Sequence, residues 1–194
     1  MDTMTTDTTP DLLDFLLTRR SRPAKLLKGP APDRATLMRL LTAAARVPDH
    51  GKLEPWRFII IEGEARARIA EAVEVRGPEA GIAPERNAKV TSGFRDSPMV
   101  VAVIAVEKPS PSIPPLEQLL SAGAVCLGLV NAALASGLGA CWLTGWPAHD
   151  RGFQESVLGL EPHERVAGFI HLGHCDTRPP ERPRPDIERI TSWL

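Results

Sequence analysis

Between Gln118 and His149 the chain carries no Asp, Glu, Lys or Arg, and the run Leu119–Leu138 reads LLSAGAVCLGLVNAALASGL. Twenty uncharged residues in a helix reach about 30 Å, the thickness of a bilayer's apolar core. Ser121, Asn131 and Ser136 interrupt the run, Gly and Ala occupy much of it, and no Lys/Arg cluster flanks it. A spanning helix would want that flanking charge. A helix apolar on every side also serves as the central helix of a folded domain or as a subunit contact. The run therefore predicts a buried core helix and no membrane span, and the rest of the domain must supply apolar partners around it.

The chain has 194 residues, enough for a single domain over 1–194. A domain of that size buries roughly 70% of its unfolded surface and needs neither disulfides nor metal to hold together. Residues 1–9 are expected to be disordered, and 174–194, with four Pro between Arg178 and Pro185, to form an extended tail. Lys and Arg total 23 against 24 Asp and Glu, a formal charge of −1, which argues against a nucleic-acid or anionic-membrane partner. Three Cys with no C-x-x-C spacing give neither a disulfide framework nor a zinc ribbon. With no basic segment followed by a long apolar one at the start, a reducing cytoplasm is the expected compartment.

Periodicity sets the elements. Pro10 and Leu12, Leu13, Leu16 and Leu17 predict a short helix ending near Arg19–Arg20, followed by the loop RPAKLLKGPAP. Pro32–Val47 reads as a helix with Leu37, Leu40, Leu41, Ala44 and Ala45 on one face, stopped by Pro48. WRFIIIEG is a strand, Glu64–Val75 a helix, and 76–97, with its Pro and Gly breaks, a partly irregular exposed segment. Pro98–Val106 is apolar on both faces, as a central strand must be. A Pro-rich loop, the long helix, a strand at Ala140–Leu143, a helix at Pro147–Leu158 and a strand at Val166–Leu172 complete the chain. Strands separated by helices imply an α+β or α/β three-layer domain around one small sheet.

Neither G-x-G-x-x-G after a strand, nor a P-loop, nor a G-x-S-x-G elbow is present. His171, His174 and Cys175 cluster at a strand end, but no fourth ligand stands at a recognised spacing, so no metal is assigned. What remains is a scatter of anion-binding groups: Arg19-Arg20-Ser21 after the first helix, Arg46 after the second, Asp49-His50 in the next loop, and Arg182 and Arg184 in the tail. Arg forks and a Ser hydroxyl suit a phosphate. A helix C-terminus also attracts Arg through its dipole, and both readings stay open on spacing alone.

Taken together, TRRSRPAKL, AARVPDHGKLEPWRFIII, SAGAVCLGLVNAALASGLGACW and RVAGFIHLG…RPPERPRPDIERITSW resemble the FMN-dependent nitroreductase family over nearly the whole chain. The P-D-H loop is similar to that of its YdjA-like branch. The resemblance implies a nitroreductase-like three-layer α-β-α sandwich of the α+β class, with a small central sheet flanked by helices. It also implies a homodimer with FMN sites shared between protomers. Arg19, Arg20 and Ser21 match the family's flavin contact at the phosphate and ribityl side, and Arg46 and His50 match a second contacting pair supplied across the dimer. Trp142, Leu143 and Thr144 match the segment lining the flavin ring, and Arg182 and Arg184 a basic pair in the tail. Ala132, Ala133, Leu134, Ala135, Ser136 and Gly137 match a stretch given to nicotinamide dinucleotide contact, though an Ala-rich helix equally suits packing. The implied activity is ping-pong hydride transfer from NAD(P)H through FMN to a small nitroaromatic or quinone-like acceptor. Other flavin chemistry on the same scaffold, such as reductive dehalogenation or flavin modification, and a flavin-binding redox module with little turnover are the alternatives. Because the flavin carries the chemistry, no catalytic acid or base is assigned. Gly123, Ala124, Gly128, Ala132 and Ala135 would let a partner's helix approach the long helix closely.

Overall fold

The computed structural model describes residues 10–194, so the expectation for 1–9 lies outside the described residues. Four strands, β1 (Trp56–Glu62), β2 (Met99–Val106), β3 (Gly139–Leu143) and β4 (Glu164–Gly173), form one sheet in the order β1-β2-β4-β3, every neighbouring pair antiparallel. The helices are α1 (Pro10–Thr18), α2 (Arg34–Ala44), α3 (Glu64–Glu79), α4 (Pro84–Asp96), α5 (Pro115–Ala135), α6 (Arg151–Ser156) and α7 (Ile187–Ile190).

Successive side chains of a strand point to opposite faces, and β2 shows how this builds three layers. Met99, Val101 and Val103 pack with α2 and α5, while Val100, Ala102 and Ile104 pack with α3, α4 and α6. Both faces of β2 are covered, which is why its sequence is continuously apolar. The register between β2 and β4 slips at Val103/Ile104, where Ala167 is the unpaired residue of a bulge.

The charge-free run is α5, the core helix of one face, with Ala122, Val125, Cys126, Leu129 and Ala133 fully buried. Of its polar interruptions, Ser121 is held by two side-chain hydrogen bonds. Ser121 Oγ donates to the Pro48 carbonyl at 2.8 Å and accepts from Trp56 Nε1 at 3.2 Å. Gly128 corrects the sequence expectation: a Cβ there would lie 3.1 Å from the Ala44 carbonyl oxygen and 3.2 Å from its Cα. That glycine lets α2 approach within the same protomer, so it is not part of a surface for a partner. Ala132 is likewise packed against the core.

Three other expectations need correction. Residues 76–97 are not irregular: α3 continues to Glu79 with Pro78 in its last turn, and α4 buries Asn87, Thr91 and Phe94. The α4 pattern escaped because two of its three inward residues, Asn87 and Thr91, are polar, and Asn87 is held inside by hydrogen bonds with Trp146 Nε1 and the Glu74 carbonyl. The expected helix at 147–158 is a 3-10 turn at Trp146–Ala148 followed by the short α6, whose start is set by Asp150 accepting from the Phe153 N–H. The second helix ends three residues earlier than read, at Ala44, after starting from an Asp33 cap.

Candidate functional site: an arginine cluster beside strand β3

The arginines after α1 are brought to the sheet edge by backbone hydrogen bonds. Arg22 N–H donates to the Ala140 carbonyl of β3 at 2.8 Å, and Lys28 and His174 exchange two backbone bonds of 2.8 Å each. Residues 19–28 therefore run beside β3 and the end of β4. The tail leaving β4 returns over the same place: Arg20 donates to the Pro180 carbonyl, and Glu181 lies 2.8 Å from Arg184 and 3.9 Å from Arg20. Arg19 Nη2 donates to Ser21 Oγ at 3.1 Å. Burial holds the Arg19 pKa below its ordinary value, and the charges of Arg184, Arg20 and Arg22 push it the same way. Arg19 Nε is buried with no hydrogen-bond partner. Four guanidiniums thus gather here, two of them paired with Glu181, and the buried donor on Arg19 asks for an acceptor. An anion with several oxygens answers both demands.

Beside the cluster, β3 ends in exposed Trp142, Leu143 and Thr144. The Trp142 indole lies across Gly168 of β4, where any Cβ would collide with it, and its far edge is 3.9 Å from where a Cβ of Gly123 on α5 would be. Two glycines thus form the slot that holds the ring against the α5 face of the sheet.

A second set of candidate groups lies in the loop between α2 and β1. Asp49 accepts from the backbone N–H groups of Leu53 at 3.2 Å and Glu54 at 2.8 Å, closing the loop on itself. His50 Nδ1 is 2.7 Å from Glu117 Oε2 in the first turn of α5. Among the described residues no hydrogen bond or ion pair connects Arg46 or His50 to the arginine cluster.

A family model described as the nitroreductase family matches residues 16–174. The chain belongs to the nitroreductase family. Among its nitroreductase-family relatives, the YdjA protein of Escherichia coli (strain K12) is 32% identical over 163 residues, covering 84% of this chain and 87% of that protein. A Haemophilus influenzae protein is 34% identical over 164 residues, covering 84% and 88%. Both carry the provisional description NAD(P)H nitroreductase. In three dimensions the chain is similar to a nitroreductase-like protein from Bacillus cereus, with a TM-score of 0.81 and 25% identity over 100% of this chain and 98% of that one. It also shares its fold with the FMN-dependent nitroreductase NfnB from Mycobacterium smegmatis, solved with NADPH, with a TM-score of 0.73, 18% identity and coverage of 95% and 98%.

Against this nitroreductase fold the sequence-derived residues divide clearly. Arg19, Arg20, Ser21 and Arg184 converge, with Trp142–Thr144 alongside, whereas the Arg182 side chain is exposed and only its backbone N–H bonds Glu181. Ala133 is fully buried and offers no surface to a dinucleotide, Ala132 and Leu134 pack on the core, and only Ala135, Ser136 and Gly137 are exposed. His171, His174 and Cys175 do not converge. His171 is buried with Nδ1 2.8 Å from Ser97 Oγ, His174 is exposed, and the Cys175 thiol bonds the Thr177 carbonyl. No three His, Cys, Asp or Glu among the described residues group as metal ligands would. Residue spacing did not single out Arg22, Glu181 or Glu117, because each gains its place from a segment distant in the chain.

Proposed function

We propose that this chain is an FMN-dependent oxidoreductase that takes hydride from NAD(P)H and delivers it to nitroaromatic or quinone-like acceptors in ping-pong order. The observation that carries this reading is the arginine cluster. Arg19, Arg20 and Arg184, with the Ser21 hydroxyl, fit a phosphate monoester, and the unpartnered Arg19 Nε supplies a donor that such a group satisfies. The exposed Trp142–Thr144 edge would flank the ring system. When bound, FMN supplies the hydride chemistry. The chain's part is to hold the phosphate, orient the ring against β3 and shield it from water.

The protomer's surface favours a homodimer. Leu12, Leu13, Leu16 and Leu17 on α1, Leu116, Leu120 and Leu127 on α5, and Ile187, Ile190 and Trp193 near the end are all largely exposed. Large apolar side chains exposed in this number favour burial against a partner protomer. Arg46 and His50 would then complete the flavin site of the partner. Free Cys126, Cys141 and Cys175 and the use of NAD(P)H favour the cytoplasm.

The test begins with the absorption spectrum of the purified protein and identification of heat-released cofactor, followed by NAD(P)H oxidation with a nitroaromatic acceptor. FMN and turnover are expected. Bound flavin with negligible turnover would leave a binding module, and a protein that takes up no FMN would end the reading. Arg19→Ala is expected to weaken FMN binding by about 1.5–3 kcal/mol, the range for a hydrogen bond to a charged group. An unchanged Kd would remove Arg19 from the site.

A further inference from the structure

The loop between α2 and β1 is held more firmly than its exposure would lead one to expect. Gly51, Lys52 and Glu54 have φ of 67°, 53° and 49°, and two of these are residues that rarely adopt the left-handed region. Such strain persists only where surrounding contacts enforce it, and it concentrates at functional sites. Three contacts with neighbouring elements enforce it here. Ser121 of α5 grips the Pro48 carbonyl, the Ile113 side chain occupies the space a side chain at Gly51 would need, and Glu117 of α5 takes His50 Nδ1 at 2.7 Å. Gln118, the next residue, ties the 108–113 loop through bonds to Lys108 N–H, Lys108 C=O and Ile113 C=O. One turn of α5 thus anchors the loop carrying His50 directly, and the segment packed on Gly51 as well.

An exposed ion pair adds on average about 0–1 kcal/mol to stability, so stability alone does not account for strained backbone around it. Holding a side chain in one orientation does. We infer that Glu117 is a positioning residue for His50, fixing the imidazole so that Nε2 faces outward toward the ligand. With Nδ1–H donated to Glu117, a neutral ring presents Nε2 as an acceptor, and a protonated ring presents Nε2–H as a donor. The polar edge of a flavin alternates C=O and N–H groups, and an imidazole of fixed tilt can meet one of them. This inference rests on the reading that His50 of one protomer contacts the flavin of the other.

The experiment measures FMN Kd, the bound-flavin absorption maximum and the flavin midpoint potential in wild type, Glu117→Ala, Glu117→Gln, His50→Ala and the double variant His50→Ala/Glu117→Ala. Glu117→Ala should weaken FMN binding about three- to tenfold, the span of one net hydrogen bond, and shift the spectrum in the same sense as His50→Ala. Glu117→Gln, which keeps an acceptor, should recover most of the Kd. In the His50→Ala background the Glu117 substitution should add nothing to any of the three readouts. An equal effect of Glu117→Ala in both backgrounds overturns the inference. So does a change confined to thermal stability, which is what loss of an acidic residue from a helix's first turn would give. His50→Ala with unaltered Kd, spectrum and potential would instead overturn the flavin-contact reading of His50 itself.

Discussion

The two faces of the sheet are finished in different ways. On the α3/α4/α6 face the chain closes its own core and pins it with three polar pairs, two of them buried. Trp146 Nε1 donates to Asn87 Oδ1 at 3.0 Å, Ser97 Oγ and His171 Nδ1 are 2.8 Å apart, and Arg76 pairs with Asp150 where α6 begins. Gly77 allows α3 to seat the Asn87 carboxamide, which any Cβ there would displace. On the α2/α5 face the inner surface of α5 is packed tightly through small residues, but its outer side still shows Leu116, Leu120 and Leu127 to water. The candidate site residue Trp142 lies on this second face, over Gly168 and against α5. Polar pins make sense where a core is complete within one chain. An unpinned apolar surface is what a face that docks on another protomer would keep.

The contrast can be broken most severely from the closed face. Phe153 is fully buried, edge-on to Trp146 with ring centroids 5.5 Å apart. Phe153→Ala should cost about 3–5 kcal/mol in chemical denaturation, while the folded fraction binds FMN with unchanged Kd. A parallel loss of FMN affinity would mean that the faces are not separable.

The open face should answer in the opposite way. Leu120→Arg places a charge on a side chain that is 64% exposed in the protomer, so the fold should survive. Across an apolar interface the same charge should cost about 2 kcal/mol or more, with flavin lost alongside the partner. Light scattering should move from twice 21.1 kDa to 21.1 kDa. An unchanged mass with flavin retained would show that this leucine faces no partner.

Acid should report on buried groups of the closed side. Burial pushes His171 down from 6.5 to about 4, opposed by a hydrogen bond to the Gly93 carbonyl. The unfolded chain therefore takes up this proton before the folded one does. Stability should be full above pH 6.5 and fall by on the order of 2–3 kcal/mol as pH drops toward 4. Denaturant midpoints for wild type and His171→Asn across that window test it, the variant losing the slope. Glu164, held down from 4.5 to about 2 mainly by its hydrogen bonds with Arg57, adds a second limb. Its contribution is present above pH 4.5 and lost as pH falls toward 2.

The smallest effect is expected on the open face, at the start of α2. Asp33 accepts from the Thr36 N–H at 2.7 Å, and Asp33→Ala should lower the melting temperature slightly while leaving the light-scattering mass at its wild-type value. A thermal melt on the light-scattering sample is sufficient.

Much of this was legible in the residues. PMVVAVIAV reads as a central strand because only a strand covered on both sides tolerates eight apolar residues in succession, and β2 is that strand. The charge-free run reads as a core helix for the corresponding reason. By contrast, α4 was illegible, since Asn87 and Thr91 carry no apolar signal and are buried by the partners and packing that surround them. The candidate site was legible in type and not in assembly. Arg19, Arg20 and Ser21 stand out as anion-binding groups wherever they lie. That Arg184 joins them, that Arg182 does not, and that Glu117 faces His50 follow only from how distant segments meet.

The sequence by itself therefore determined the strands, the core helices α2 and α5, the two-sided core and the chemical character of the arginines, because helix and strand faces repeat every few residues and side-chain chemistry is intrinsic. The tertiary structure alone decided which arginines share one place, that Gly128 receives α2 instead of a partner, and that the face of α5 bearing Leu120 is left open. Those outcomes depend on closing loops of tens to more than a hundred residues, and no local pattern records where the far end of such a loop will arrive.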